Sequence, residues 1–183
     1  VVVDGGIADA TVAEDSAFNL DLSTRFSDAD GESLTFSAAG LPSWLTLENG
    51  VLSGTPSDSD VAGPVTVTVT AKDAAGAEVS DSFTLTVTNT NDAPTVAEEA
   101  ADQTGKVGQA LSLALPATMF ADADLDSGDT LTLSAAGLPE GVSFDPATRT
   151  FSGAPTAAGT YDVTVTATDS AGEAVSDTFA LVV

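Results

Sequence analysis

Carboxylates are the side chains of this sequence with the greatest capacity for chemistry. The chain has 183 residues and carries 28 Asp and Glu against 4 Lys and Arg, a formal net charge of -24. Asp-Ala-Asp triplets stand at Asp28–Asp30 and Asp122–Asp124, and Asp73 and Asp169 each follow a Thr-rich stretch. Dense oxygen donors favour a hard cation, and calcium, which takes roughly six to eight oxygen ligands, is the first candidate.

Composition excludes several classes of function. The negative field repels phosphate backbones and anionic lipids, so we predict no nucleic-acid binding. Histidine and cysteine are absent, which removes the usual zinc sites, thiol nucleophiles and histidine-dependent triads. No apolar run approaches the roughly 20 residues of a membrane helix, so no membrane insertion is expected.

Paired carboxylates are also the catalytic groups of glycosidases. Here they lie in predicted turns, with neither an aromatic cleft nor basic residues to position a substrate. We therefore predict that the chain is not an enzyme.

An internal repeat organises the chain. The segment FSDADGESLTFSAAGLPSWL, from Phe26, parallels FADADLDSGDTLTLSAAGLPEGV, from Phe120. Val67–Gly76 parallels Val163–Gly172 in the same way, and the offset drifts only between 93 and 99 residues. Repetition of this length indicates a tandem array. We predict one repeat at 1–90, a linker at 91–94 and a second repeat at 95–183.

Strands follow from alternation of apolar residues with threonine, as in Val65–Ala71. Period two places the apolar side chains on one face of a strand and threonine on the other. Several short strands with regular turns favour a two-sheet β-sandwich in each repeat, and no segment has a helical apolar stripe. The predicted strands are 16–22, 33–39, 44–47, 50–53, 65–71 and 83–88, then 110–115, 130–136, 141–144, 149–153, 163–167 and 179–183.

Five markers together resemble the dystroglycan-type cadherin-like domain and the related immunoglobulin-like domain of bacterial surface proteins. They are Phe-Ser-Asp-Ala-Asp, Gly-Leu-Pro-Ser-Trp-Leu, Leu-Ser-Gly-Thr-Pro, Ala-Lys-Asp-Ala-Ala-Gly and Thr-Asn-Thr-Asn-Asp-Ala-Pro. The resemblance implies two tandem seven-stranded Greek-key β-sandwiches. It also implies an extracellular or cell-surface origin, in a large adhesin or beside polysaccharide-degrading modules.

The resemblance further implies calcium at the junction between repeats. In cadherin-type repeats, the linker of one domain and two loops of the next converge on the ion. The implied ligands here are Asn91, Asp92, Asp122, Asp124 and Asp169, and Asp126 and Asp129 enlarge the same loop. The Asp-Arg-Glu motif of animal cadherins is absent, so a single ion is expected. Asp-Ala-Asp is also an ordinary turn sequence and acidic loops can be solubilising charge, so that alternative stays open.

The first repeat has the matching aspartates Asp28, Asp30 and Asp73, but its partner linker lies outside the sequence. We therefore expect an incomplete half-site that binds weakly or not at all. The chain itself is expected to be a fragment cut at repeat boundaries from a longer array.

Aromatic residues decide between the remaining functions. Trp44, the only tryptophan, could stack on a sugar, but core packing is the favoured interpretation, as it is for Phe18, Phe36, Phe83 and Phe179. We predict structural extender or adhesion repeats whose partners are neighbouring repeats of the same chain. The alternatives are a carbohydrate-binding module, with polysaccharide or a cell-surface glycan as partner, and a subunit of an extracellular filament.

Overall fold

Valine–threonine alternation forms the longest strands of the molecule. The computed structural model describes residues 1–183, which divide into two units, Val1–Thr90 and Asn91–Val183. Both units are built from β-strands and short 3-10 turns, with no α-helix. The predicted all-β class with two tandem sandwiches is therefore confirmed.

Unit 1 contains nine strands, of which seven form the two layers of a sandwich. They are β1 Val2–Val3, β2 Ala10–Ala13, β3 Phe18–Asp21, β4 Phe26–Ser27, β5 Thr35–Ala39, β6 Leu45–Glu48, β7 Val51–Gly54, β8 Val65–Lys72 and β9 Glu78–Thr88. One sheet has the order β2-β9-β8-β5 and the other β3-β7-β6, and β1 pairs with β4 as a short ribbon. β2 runs parallel to β9, and every other pair is antiparallel.

Unit 2 repeats this plan. Its strands are β10 Thr95–Val96, β11 Gln103–Thr104, β12 Leu111–Ala114, β13 Phe120–Ala121, β14 Thr132–Ala136, β15 Val142–Asp145, β16 Thr150–Gly153, β17 Thr160–Thr168 and β18 Ala174–Val182. The four-stranded sheet is β11-β18-β17-β14, the three-stranded sheet is β12-β16-β15, and β10 pairs with β13. Both units therefore have the same strand pairs, including the parallel one.

The core of each unit lies between its two sheets. In β8, Val67, Val69 and Ala71 are fully buried, and the same positions of β17 are buried in unit 2. The outward threonines pair across strands, with Thr70 Oγ1 2.7 Å from Ser80 Oγ. Such hydroxyl pairs contribute about 0.2–1 kcal/mol each, whereas a buried aliphatic or aromatic side chain contributes about 1.5–3 kcal/mol. The sandwich is thus held mainly by its apolar interior.

Aromatic side chains pack as the alternation predicts. Phe83 and Phe179 are buried, and Phe18 and Phe36 are partly buried against the core of unit 1. Trp44 is also partly buried there, edge-on to Phe18 with ring centroids 6.3 Å apart. The interpretation of these residues as core is confirmed.

Candidate metal centre

The Asp122–Asp124 loop of unit 2 follows β13 directly. Asp122 is extended and caps the 3-10 turn Ala123–Ser127, its Oδ1 accepting the Asp124 amide at 2.9 Å. The turn ends at Gly128, whose φ of 104° only glycine adopts without strain. The Asp129 amide then donates to the Asp124 carbonyl at 3.1 Å. Asp124, within this closed loop, is only 1% exposed.

Asp169 follows β17 and is only 6% exposed. Its Oδ1 accepts the amides of Gly172 at 2.6 Å and Glu173 at 2.8 Å, and its Oδ2 accepts Asn91 Nδ2 at 3.0 Å. The Asn91 hydrogen bond, aided by the two backbone amides and opposed by burial, holds the pKa of Asp169 below its usual value. Asp169 is therefore an anion at neutral pH.

Three carboxylates of unit 2 converge. Asp122, Asp129 and Asp169 have oxygens that all lie within 4.8 Å of one another. Ser170 and Thr130 donate to Asp129, which lowers the pKa of that carboxyl as well. Adjacent anions repel each other, so this cluster raises the free energy of the fold unless positive charge is near.

Buried oxygens in this loop lack hydrogen-bond partners. They are Asp122 Oδ2, Asp124 Oδ1 and Asp129 Oδ2. An unsatisfied buried carboxylate oxygen costs free energy that a hydrogen-bond donor or a cation would recover. A set of oxygen donors with no nitrogen or sulfur matches the coordination chemistry of calcium. The residues present thus fit the ion that the sequence predicts.

Asn91 and Asp92 contact the same loops. Asn91 Nδ2 donates to Asp169 and also to Glu173 Oε2 at 3.0 Å, and the Asp92 amide donates to Asp124 Oδ2 at 2.6 Å. Hydrogen bonds thus link Asn91 to Asp169 and Asp92 to Asp124, and Asp122 and Asp169 share the carboxylate cluster, from which Asp124 is absent. Asn91 presents its amide nitrogen to the carboxylates, so in this arrangement it is a hydrogen-bond donor rather than a metal ligand.

Three further acidic residues were weighed differently or missed in the sequence-based prediction of the site. Asp129 belongs to the cluster, whereas Asp126, in the same loop, is exposed and outside it. Glu173 was not predicted, although it lies four residues after Asp169 in the turn before β18. The signal was a difference between the repeats, because Ala77 occupies the matching position after Asp73.

The aspartates of unit 1 are arranged less compactly. Asp28 Oδ1 accepts the Asp30 amide at 2.8 Å, and its Oδ2 lies 3.2 Å from the α-amino group of Val1. Asp30 is exposed, and Asp73 accepts the Ala77 amide at 2.8 Å. The three carboxylates do not form a group with oxygens all within 4.8 Å. The structure thus gives unit 1 the Asp turns without the cluster.

The fold and the acidic loops define a class, that of tandem cadherin- or immunoglobulin-like repeats. A family model described as "Putative Ig domain" matches residues 1–88 and again 93–183. The chain therefore belongs to this family and contains two copies of its domain.

Curated relatives are bacterial proteins named as adhesins. The chain is 36% identical over 148 residues to the "Serine-rich adhesin for platelets" of Staphylococcus aureus strain MRSA252, a match covering 80% of this chain and 10% of the relative. The protein of the same name from strain USA300 is 35% identical over 148 residues, with 80% and 6% covered. The chain thus spans a tenth or less of these relatives. Its location is extracellular or at the cell surface.

Solved structures show the same fold. Human mucin-like protocadherin EC1-2 aligns with a TM-score of 0.62 and 14% identity, covering 97% of this chain and 95% of that one. Mouse cadherin-23 EC22-24 aligns with a TM-score of 0.54 and 17% identity, covering 81% and 52%. The structure contains no helix with the length and apolarity needed to cross a membrane.

Proposed function

We propose that the chain is a pair of structural, non-enzymatic adhesion repeats of a large bacterial surface protein, and that calcium in the unit 2 cluster stiffens the connection between the repeats. Membership of the "Putative Ig domain" family and the adhesin names of the curated relatives support the first part. The repeat limits 1–90 and 95–183 with a linker at 91–94 stay a prediction.

The observation that carries calcium binding is the set of buried oxygens without hydrogen-bond partners on Asp122, Asp124 and Asp129. Asp122, Asp129 and Asp169, whose oxygens lie within 4.8 Å of one another, would hold the ion. Calcium supplies two positive charges and accepts irregular oxygen geometry, whereas magnesium demands a near-ideal octahedron and keeps its water. An irregular loop of this kind therefore favours calcium.

Stiffening would follow from the contacts of the predicted linker. Asn91 is hydrogen-bonded to Asp169, and Asp92 is hydrogen-bonded to Asp124. An ion that binds only this folded arrangement stabilises it by about 2.7 kcal/mol at 100 times its Kd. The two linker residues would then be held against unit 2 rather than swinging freely. The partners in this role are neighbouring repeats of the same chain.

A structural role also agrees with what surrounds the carboxylates. Their oxygens accept hydrogen bonds from backbone amides of their own turns, as in Asp169 and Asp122. Asp129 and Asp169 are poor proton donors, because hydrogen bonds hold the pKa of each carboxyl below its usual value rather than raising it toward neutrality. The contacts of Trp44 with the core give no support to the carbohydrate-binding alternative.

A calcium titration of the whole chain tests the proposal. We would measure thermal unfolding, calorimetric binding and small-angle scattering, first in EDTA and then with calcium, using magnesium as the ion control. Calcium should raise the Tm and narrow the range of particle dimensions derived from the scattering. The double variant Asp122→Ala with Asp169→Ala should lose both effects.

The first repeat supplies a matched control. Asp28→Ala with Asp73→Ala makes the same chemical change at the equivalent positions of unit 1 and should leave the calcium effects intact. The proposal is rejected if millimolar calcium changes neither Tm nor shape, or if both double variants lose the response equally.

A further inference from the structure

A groove of about 220 Å³ opens on one side of unit 2. Its lining includes the buried side chains of Leu115 and Phe179 and the partly buried Leu113, and the exposed Glu98 and Glu99 lie at its rim. The groove separates β12, an edge strand of the three-stranded sheet, from the segment leading into β11, an edge strand of the other sheet. It is therefore a lateral opening into the core of unit 2.

Unit 1 shows what normally fills this place. The Ile7 amide donates to Asp81 Oδ2 at 2.6 Å, and the Ala100 amide donates to Asp177 Oδ2 at 2.8 Å. Because Asp81 and Asp177 occupy matching positions in β9 and β18, Ile7 and Ala100 are equivalent. The Ile7 side chain is buried in the core of unit 1, within the same cluster as Leu22 and Phe83.

The lining residues confirm that the two places correspond. Strand register equates Leu20 with Leu113, since Leu20 pairs with Leu52 in β7 and Leu113 with Phe151 in β16. Leu22 and Leu115 follow two residues later in each unit. Part of the groove is thus the space that the Ile7 side chain occupies in unit 1 and that Ala100 leaves open.

The size and the rim of the groove indicate its occupant. Pockets for small molecules have volumes of roughly 300–1,000 Å³, so this groove suits one aliphatic side chain better than a whole ligand. Glu98 and Glu99 stand where unit 1 has Gly5 and Gly6, so the rim has two negative charges where the filling side chain is missing. Since β12 is paired on one side only, an extended backbone could lie along it.

We propose that this groove binds an extended segment of a partner protein, which inserts one aliphatic side chain and places a lysine or arginine beside Glu98 and Glu99. The aliphatic side chain would take the place that Ile7 takes in unit 1. The basic residue gives selectivity through charge complementarity, which acts mainly on the association rate and weakens with salt. The proposal is independent of calcium.

The test uses the whole chain with leucine methyl groups labelled for NMR. The probe is the blocked peptide Thr-Lys-Ile-Lys-Thr, compared with peptides in which serine replaces the isoleucine or glutamate replaces both lysines. Saturable shifts should appear at Leu113 and Leu115 with the first peptide. At least about tenfold weaker binding is expected for the serine peptide, since burial of the isoleucine side chain is worth about 1.4 kcal/mol or more. The glutamate peptide should bind more weakly and associate more slowly, because its charges repel Glu98 and Glu99.

Variants of the chain test whether the peptide binds in the groove. Ala100→Ile should fill it as Ile7 does and abolish the shifts, with Ala100→Val as a smaller filler if isoleucine disturbs the fold. Glu98→Gln with Glu99→Gln should weaken binding and reduce its salt dependence. The amide oxygen of the first substitution keeps an acceptor for the Thr118 hydroxyl, which lies 2.9 Å from Glu98 Oε2.

Several results would overturn the proposal. These are no saturable shift at millimolar peptide, binding that survives both fillers, or equal binding of the serine or glutamate peptide. Self-association that Ala100→Ile abolishes, measured by analytical ultracentrifugation, would assign the groove to a second copy of this chain and overturn the proposal equally.

Discussion

The acidic loops of the two units share a sequence pattern but differ in structure. In unit 2, Asp124 is buried and the loop closes on Asp169. In unit 1, the equivalent Asp30 is exposed, and Asp28 and Asp73 serve their own turns. The Asp-Ala-Asp motif is therefore present twice, but only one copy gathers carboxylates into a cluster.

Loop length accounts for one part of the difference, which is the position of Asp129 beside Asp169. Five residue steps separate Asp30 from Thr35, the start of β5, whereas eight separate Asp124 from Thr132, the start of β14. The longer segment folds into the 3-10 turn that ends at Gly128, and this turn carries Asp129 beside Asp169. A cluster of metal ligands thus requires a loop long enough to fold back, in addition to the ligand residues themselves.

The hydrophobic cores of the two units should lose similar amounts of stability when matching phenylalanines are removed, and this is the largest effect we predict. Phe83→Ala and Phe179→Ala should each destabilise their own unit by about 3–5 kcal/mol, because both rings are buried at matching positions. Urea unfolding can separate the units, since Trp44 reports on unit 1 and Tyr161 on unit 2 as the sole residues of their types. A cost below about 1 kcal/mol for either variant would show that the cores are not equivalent.

Shortening the unit 2 loop tests whether motif or loop length matters. Replacing residues 125–131 by the unit 1 sequence Gly-Glu-Ser-Leu, with Glu173→Ala, retains Asp122, Asp124 and Asp169. We expect this variant to lose the calcium stabilisation, about 2.7 kcal/mol at 100 times the Kd, in the Tyr161 transition. Calcium stabilisation that survives the exchange would mean that the Asp motif suffices.

The hairpin between β6 and β7 of unit 1 is tighter than the matching hairpin between β15 and β16 of unit 2. In unit 1, Asn49 and Gly50 both have positive φ, as the tight turn between β6 and β7 requires. Gly50→Ala should destabilise unit 1 by about 1–2 kcal/mol, since alanine is strained at a φ of 80°. Gly63→Ala is the control, because its added methyl meets no atom within 4 Å and its φ is not positive. If the urea unfolding transitions reported by Trp44 were the same for the two variants, this role of Gly50 would be contradicted.

The longer hairpin of unit 2 should have a small acid dependence of its own. The Thr148 hydroxyl and the Ala147 amide donate to Asp145 and lower the pKa of that carboxyl. Because the folded-state pKa lies below the unfolded value of about 3.9, the stabilisation is present above that pH and is lost as pH falls through the lowered pKa. Thr148→Val should raise the pKa of Asp145 in carboxyl-detected NMR, and an unchanged titration would refute the hydrogen bond's role.

Much of the fold could be predicted from the sequence. Alternation in Val65–Ala71 and the matching residues of β17 identified these two strands to within one to three residues, whereas β9 and β18 each begin five residues before the predicted start. The two-residue strands β1, β4, β10 and β13 were not predicted, because a pair of residues has no measurable period. β2 and β11 were missed as well, since their pairing with β9 and β18 depends on long-range backbone contacts.

The candidate site was predictable to a similar degree. A resemblance to calcium-binding repeats pointed to Asn91, Asp92, Asp122, Asp124 and Asp169, and the structure links these residues through hydrogen bonds and one carboxylate cluster, with Asn91 as a donor. Glu173 was missed because its signal, Ala77 at the matching position of the first repeat, is a single difference between the repeats.

Local chemistry is what the amino-acid sequence alone determines here. Periodicity, turn residues and the duplicated motif specify an all-β chain of two repeats with oxygen donors at set positions, since these depend on neighbours along the chain. Burial was decided by the tertiary structure. Contacts between segments that are distant in sequence bury Asp124, place Asp129 beside Asp169 and leave a groove beside Ala100. Three extra residues in a loop, or one smaller side chain, are enough to change these outcomes.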